Sequence, residues 1–291
     1  MATQRIKYSI ENGTTVIPIG NTTAEGFLKL EGRTGFGIAP TSLVLTEGSI
    51  EGSKWRRTRR GSRTIDLPLA VFGADRADVE IKLRLLAKTL SDRRSIARIV
   101  ATYPDGARVY TKIHYSGGLD PQYGPGGDTQ GQGLCRIVLT LVAPGPYWTD
   151  ERPVQYAVTA QNQGRSIIPN LAELRVSSSQ ALGTLAVANP GDVDAYPVWT
   201  IRGPGNGFTA SLGTLGIVYL ESIAVGETIT IDAVRKTATS SLTGDAYTAL
   251  DIAPKFFAIP PGSSNVDVLV ENSSADTLVT MYFNPRRELV Y

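Results

Sequence analysis

Apolar and polar residues alternate with a period of two along much of this chain. Ile6, Tyr8 and Ile10 take every second place in one segment, and Ile65, Leu67, Leu69 and Val71 do so in another. The same spacing returns in Val266, Val268 and Val270, and again in Val279, Met281 and Phe283. Alternation of this kind, bounded by Gly, Pro, Asn or Ser, predicts half-buried strands. The stretch Asn272 to Asp276 between the last two predicts a polar turn joining them. Many short strands with turn residues between them point to sandwiches or barrels.

One segment changes period. In DRADVEIKLRLLAKTLS, the residues Val79, Leu83, Leu86 and Leu90 recur at helical spacing and define one apolar face. Asp75 is placed to cap the helix, accepting from the free N–H groups of its first turn. Asp78 and Glu80 lie near the positive end of the helix dipole, with Lys88, Arg93 and Arg94 near the negative end. The pattern predicts a single amphipathic helix over about residues 75–91, packed on an open sheet face.

Two stretches predict long loops. SGGLDPQYGPGGDTQGQG, residues 116–133, is too rich in glycine and proline for a regular ladder, and loops of that length in compact domains usually have a role. KWRRTRRGSR, residues 54–63, sits between two strand patterns and carries Arg56, Arg57, Arg59, Arg60 and Arg63.

Size and charge then divide the chain. A length of 291 residues suits two domains better than one. A strand pattern ends in two prolines after RIVLTLVAPGPYW, placing the expected boundary near Thr149 to Pro153 and the domains at 1–150 and 151–291. Residues 1–150 hold 20 Lys and Arg against 14 Asp and Glu, whereas residues 151–291 hold 9 against 13. Neither half has the strongly basic footprint of a dedicated nucleic-acid binder. The opposite signs suggest that the two halves face different surroundings. The single cysteine, Cys135, forbids an intrachain disulfide and is compatible with folding in a reducing cytoplasm. MATQRIKYSIENGT lacks the apolar core of a secretory signal, and no run approaches the ~20 apolar residues of a membrane span.

Candidate chemistry is sparse. His114 is the one histidine, lies in strand-like KIHYSG, and has no visible partner for general-base work. Cys135 alternates into an apolar strand as a core thiol. Asp192 and Asp194 lack the further ligands of a calcium loop and read as a polar turn. The glycines of GPGGDTQGQG are followed by neither Gly-Lys-Ser/Thr nor a helix, which removes a phosphate-cradling loop. No catalytic, metal or cofactor site is expected.

Two features remain open. The five arginines fit a solvated hairpin tip, a contact with an acidic patch on a neighbouring subunit, or a nucleic-acid contact, since guanidinium pairs with carboxylate and phosphate alike. Tyr196, Trp199, Phe208, Tyr219, Tyr247, Phe256 and Phe257 are candidates for a sugar-stacking face in the second half, the tyrosines foremost, with core packing the default for Trp199.

Four stretches together carry a resemblance. They are GSKWRRTRRGSRTIDLPLAVFG with the helix after it, CRIVLTLVAPGPYWTDERPV, NPGDVDAYPVWTIRGPG, and FFAIPPGSSNVDVLVENSS. Their order resembles the distal tail proteins (Dit-like or minor tail proteins) of long non-contractile-tailed bacteriophages, particularly those of actinobacteria. The resemblance implies a mainly β protein with an N-terminal ring-forming β-sandwich or split-barrel domain carrying the one helix. It further implies a peripheral C-terminal β-sandwich of galectin-like or carbohydrate-module-like type. A hexameric ring at the virion tail tip, assembled in the host cytoplasm, would join the tail tube above to the tail-tip or baseplate protein below, with DNA in transit through its lumen. Receptor-binding proteins and host cell-wall glycans are further implied partners. The resemblance requires no catalytic residue and no cofactor. A host-adhesion module binding carbohydrate, and a cell-wall hydrolase using a carboxylate pair, are the readings from other classes.

Overall fold

The computed structural model describes residues 6–20, 22, 24, 26–48, 51–92, 95–120, 133–159 and 181–290. The chain forms two compact units, the first from residues 1–152 with 287–291 and the second from residues 153–286. The second unit thus stops short of the 151–291 span expected for it, because the chain returns to the first unit at Arg287.

The first unit contains β1 (Lys7–Asn12), β2 (Thr15–Ile19), β3 (Phe27–Lys29), β4 (Thr41–Glu47), β5 (Ser53–Arg60), β6 (Arg63–Phe72), α1 (Arg76–Ser91), β7 (Arg98–Thr102), β8 (Arg108–Lys112), β9 (His114–Gly118), β10 (Leu134–Ala143) and β11 (Trp148–Asp150). The second contains β12 (Val154–Thr159), β13 (Ala181–Asn189), β14 (Val198–Arg202), β15 (Gly205–Leu212), β16 (Leu215–Ile223), β17 (Thr228–Asp232), β18 (Thr237–Ser240), β19 (Gly244–Asp245), β20 (Gly262–Glu271) and β21 (Leu278–Phe283). A two-residue strand, β22 (Arg286–Arg287), marks the return.

In the first unit, a six-stranded sheet of order β2-β1-β7-β8-β11-β22 faces a four-stranded sheet of order β3-β6-β10-β9 across one core. Ile10, Ile17 and Ile99 come from the first sheet, and Ile65, Leu67, Leu139 and Leu141 from the second. Each is inward because its strand alternates, and each is essentially inaccessible to water. Tyr8 meets the edge of Phe36, which stacks on the buried Trp148.

The helix packs against strands of both sheets through Val79 and Leu86, with Leu83 and Leu90 flanking them. Its start is fixed reciprocally. The Asp75 carboxylate accepts from the Asp78 amide at 2.8 Å, and the Asp78 carboxylate accepts from the Ala74 amide at 2.9 Å. The adjacent basic pair Arg93 and Arg94 lies outside the described residues.

The second unit is also two-layered, with β12-β21-β14-β17-β18-β19 over β13-β20-β15-β16. Trp199 is fully buried between Phe208 (5.5 Å between ring centroids) and Phe257 (6.4 Å), as its alternation with Ile201 predicts. The two C-terminal strand patterns are β20 and β21, and both present their apolar residues inward. They do not pair with each other. The polar turn after Glu271 carries the chain from one sheet to the other, with Asn272 in the left-handed region at φ 48.

Candidate interaction surface

The arginine segment is a strand and not a loop. β4 and β5 form their own two-stranded antiparallel sheet, closed at its base by the Gly61 amide donating to the Pro40 carbonyl at 2.8 Å. β5 has 8 residues, so the arm is roughly 26 Å long at ~3.3 Å per residue. Every position of both strands is exposed except Arg60, which is half-buried.

The register sorts the arm into two faces. Residues directly opposite in an antiparallel ladder share a face. Thr41, Leu43, Leu45 and Glu47 lie opposite Arg60, Thr58, Trp55 and Ser53, while Ser42, Val44 and Thr46 lie opposite Arg59, Arg57 and Lys54. The change of step between Val44 and Leu45 leaves Arg56 as the extra residue of a β-bulge. Its guanidinium donates to the Thr46 hydroxyl at 3.0 Å, on the second face. Across the first face, the Trp55 indole N–H donates to the Thr58 hydroxyl at 3.0 Å.

One face is therefore apolar, with Leu43, Leu45 and Trp55 respectively 61%, 53% and 63% exposed. The other is basic, with Lys54, Arg56, Arg57 and Arg59. None of the ion pairs among the described residues engages these four cations.

The remaining two arginines belong to the protein's own fold. Arg60 pairs with Glu288 at 2.9 Å and donates to the Thr41 hydroxyl. Arg63 is 1% exposed, which removes it from any surface cluster. It donates to the carbonyls of Gly35 (3.1 Å), Gly37 (3.0 Å) and Glu288 (3.2 Å), and to that of Pro146. Burial pushes its guanidinium below the usual arginine value, and nearby Glu288 raises it in part. The sequence held a signal for this: Arg63 stands two places before Ile65, on the inward parity of β6.

A second charged group locks the six-stranded sheet and was not singled out from the sequence. Glu11, with its side chain 7% exposed, binds Arg98 at 2.9 Å and Arg108 at 2.5 Å. Glu151 binds the same two arginines at 2.9 and 3.0 Å. Only the folded sheet brings β1, β7 and β8 into this order, so no local motif announces the four-membered ring of charges. It neutralises itself and has the character of a staple.

Of the aromatics expected on a sugar face, Tyr219, Phe208 and Phe257 are buried and cannot take part. Tyr219 is 3% exposed and belongs to the second unit's core, because position 219 falls on the inward parity of β16. Burial, with Glu221 and Glu227 nearby, raises its phenol pKa. Tyr196 and Tyr247 are exposed, but the Arg286 guanidinium sits 5.0 Å from the centre of the Tyr196 ring. Cys135 is buried in β10, and His114 is exposed at the start of β9. Asp192 and Asp194 lie in the turn that meets Arg286, whose side chain donates to the Asp194 carbonyl at 2.7 Å. No cluster of His, Cys, Asp and Glu suited to a metal ion occurs among the described residues. Most of the glycine-rich stretch 116–133 lies outside them.

Comparisons with known proteins agree with this architecture. Residues 190–286 match the family described as the siphovirus-type tail component, C-terminal domain, of the SPP1 Dit type. No curated protein sequence matches the chain. Among solved structures, the Dit protein of phage SPP1, described as a paradigm of the hub adsorption apparatus in phages infecting Gram-positive hosts, has a TM-score of 0.66 at 12% identity. That likeness covers 96% of this chain and 98% of the SPP1 protein. A chain of the phage P2 baseplate in its activated conformation with calcium has a TM-score of 0.52 at 11% identity, covering 98% of this chain and all of that one. Residues 190–286 thus carry the sequence signature of that tail-component domain, and the chain shares the fold of the SPP1 Dit protein over 96% of its length.

Proposed function

We propose that this protein is a structural component of a phage tail: a distal tail hub whose copies close into a ring between the tail tube and the tail-tip or baseplate proteins. The observation that carries the reading is the coincidence, on one chain, of the tail-component signature over residues 190–286 with a Dit-like fold covering 96% of its length. A hub acts through surfaces and needs no reacting centre, so the reading includes no enzymatic role. In it, a ring of six copies surrounds the channel through which DNA passes, and the protein resides at the tip of the virion tail.

The arm supplies a physical means of contact. Lys54, Arg56, Arg57 and Arg59 form a basic face suited to the acidic surface of an adjoining tail component, because guanidinium forms two parallel bonds to a carboxylate. Arg60 and Arg63 take no part in it, being engaged within the first unit.

Light scattering of the full chain across a concentration and salt series, with negative-stain images of any large species, tests the reading. Closed rings with an open lumen are the expected result. A strict monomer up to high micromolar concentration at every salt overturns self-assembly into a ring.

A further inference from the structure

We propose that residues 287–290 are a strap that sets the β4–β5 arm, by tying both of its roots to the body of the first unit. The inference concerns contacts within one chain and stands or falls independently of the ring reading.

Both roots meet the strap. Arg60, the last residue of β5, pairs with the Glu288 carboxylate at 2.9 Å. The same guanidinium donates to the hydroxyl of Thr41, the first residue of β4. One side chain thus joins the two strands at their base and fastens them to residue 288. Three places further on, the Arg63 guanidinium donates to the Glu288 carbonyl at 3.2 Å and to the carbonyls of Gly35 and Gly37, in the segment that leads into β4. Between those two glycines, the Phe36 carbonyl accepts from the Val290 amide at 3.0 Å. The chain entering the arm and the chain leaving it are therefore held by the same few residues.

The strap itself is firmly anchored and the arm is not. Arg287 binds the Asp150 carboxylate through two bonds of 2.7 and 2.8 Å, and the Val290 side chain is 2% exposed in the first core. A two-pronged charge pair and a buried apolar side chain fix the segment at both ends. A two-stranded hairpin is marginal in water, and every position of this one except Arg60 is exposed. Its order then depends on what grips its roots. Because residues 287–290 follow the second unit, residues 153–286, the arm is set only once that unit has been made. Until then Arg60 lacks its carboxylate and Arg63 lacks one of its four carbonyls.

Amide hydrogen exchange read by mass spectrometry tests the strap on the full chain, comparing wild type, Glu288→Gln and the charge-exchanged R60E/E288R. Glu288→Gln keeps the shape of the side chain and removes its charge. Amides of β4 and β5 are expected to exchange about threefold faster in it, the scale of one half-exposed ion pair, with α1 and the second unit unchanged. The charge-exchanged chain is expected to return to wild-type rates. Arm exchange in Glu288→Gln equal to wild type overturns the proposal. Equal acceleration of β4, β5, β6 and α1 also overturns it, because that pattern is a loss of overall stability and not a release of the arm. A charge-exchanged chain as fast as Glu288→Gln removes the Arg60–Glu288 pair as the means.

Discussion

Arg63 shows how one side chain can hold together parts of a fold that are distant in sequence. Its guanidinium binds carbonyls of residues 35, 37, 146 and 288, three separate stretches of chain, in a site closed to water. Replacement by leucine fills the space but leaves those carbonyls without their donor. Arg63→Leu is expected to cost on the order of 3 kcal/mol in urea unfolding, given a penalty of ~1–3 kcal/mol for each buried polar group left unpaired. Asp78 gives the pH-dependent counterpart. The hydrogen bond from Lys82, then that from the Ala74 amide, hold its carboxyl below the ordinary aspartate value. Its contribution is therefore present above the unfolded aspartate pKa and is lost as pH falls through the lower, folded value. Asp78→Asn is expected to loosen the first turn of α1 near neutral pH and to change little near pH 2, read by amide hydrogen exchange.

At the scale of elements, α1 follows from its own residues, because cap, apolar face and end charges all lie within one segment. The arm does not. Strict alternation along SKWRRTRR would put Trp55 on the face of Arg57 and Arg59, and mix the two kinds of side chain. The bulge at Arg56 shifts the parity, so Trp55 joins Leu43, Leu45 and Thr58 instead. A one-residue slip turns every later side chain over, and a bulge is not announced by hydrophobic spacing. The burial of Trp199 in the second unit was legible by contrast, in its alternation with Ile201, but its packing on Phe208 and Phe257 was not. Trp199→Ala is expected to destabilise that unit by about 3–5 kcal/mol, seen as a lower midpoint in thermal unfolding.

For the whole molecule, the notable fact is that the first unit is discontinuous. Residues from Arg287 onward return to it. Arg287 forms a two-pronged pair with Asp150 at 2.7 and 2.8 Å, Glu288 meets Arg60, and Val290 is 2% exposed in the first core. A chain stopped after Arg286 is expected to lose first-unit stability by several kcal/mol, since two half-buried charge pairs and one core side chain go together. Differential scanning calorimetry of the truncated and full chains reads this directly. The truncation also removes the partner of Arg60 at the base of the arm.

The strictly alternating strands, the helix with its cap, and the burial of Trp199 were determined by the sequence itself, because each depends on spacing within a few residues of one segment. What only the tertiary structure decided is non-local. Arg63 left the arginine cluster for the interior, Tyr219 left the tyrosine group for the core, and Arg287 to Val290 joined the unit that the chain had left at Arg152. The physical reason is the same in each case. Alternation states which side a residue faces, but which surface lies on that side, and whether water reaches it, is set by partners far away along the chain.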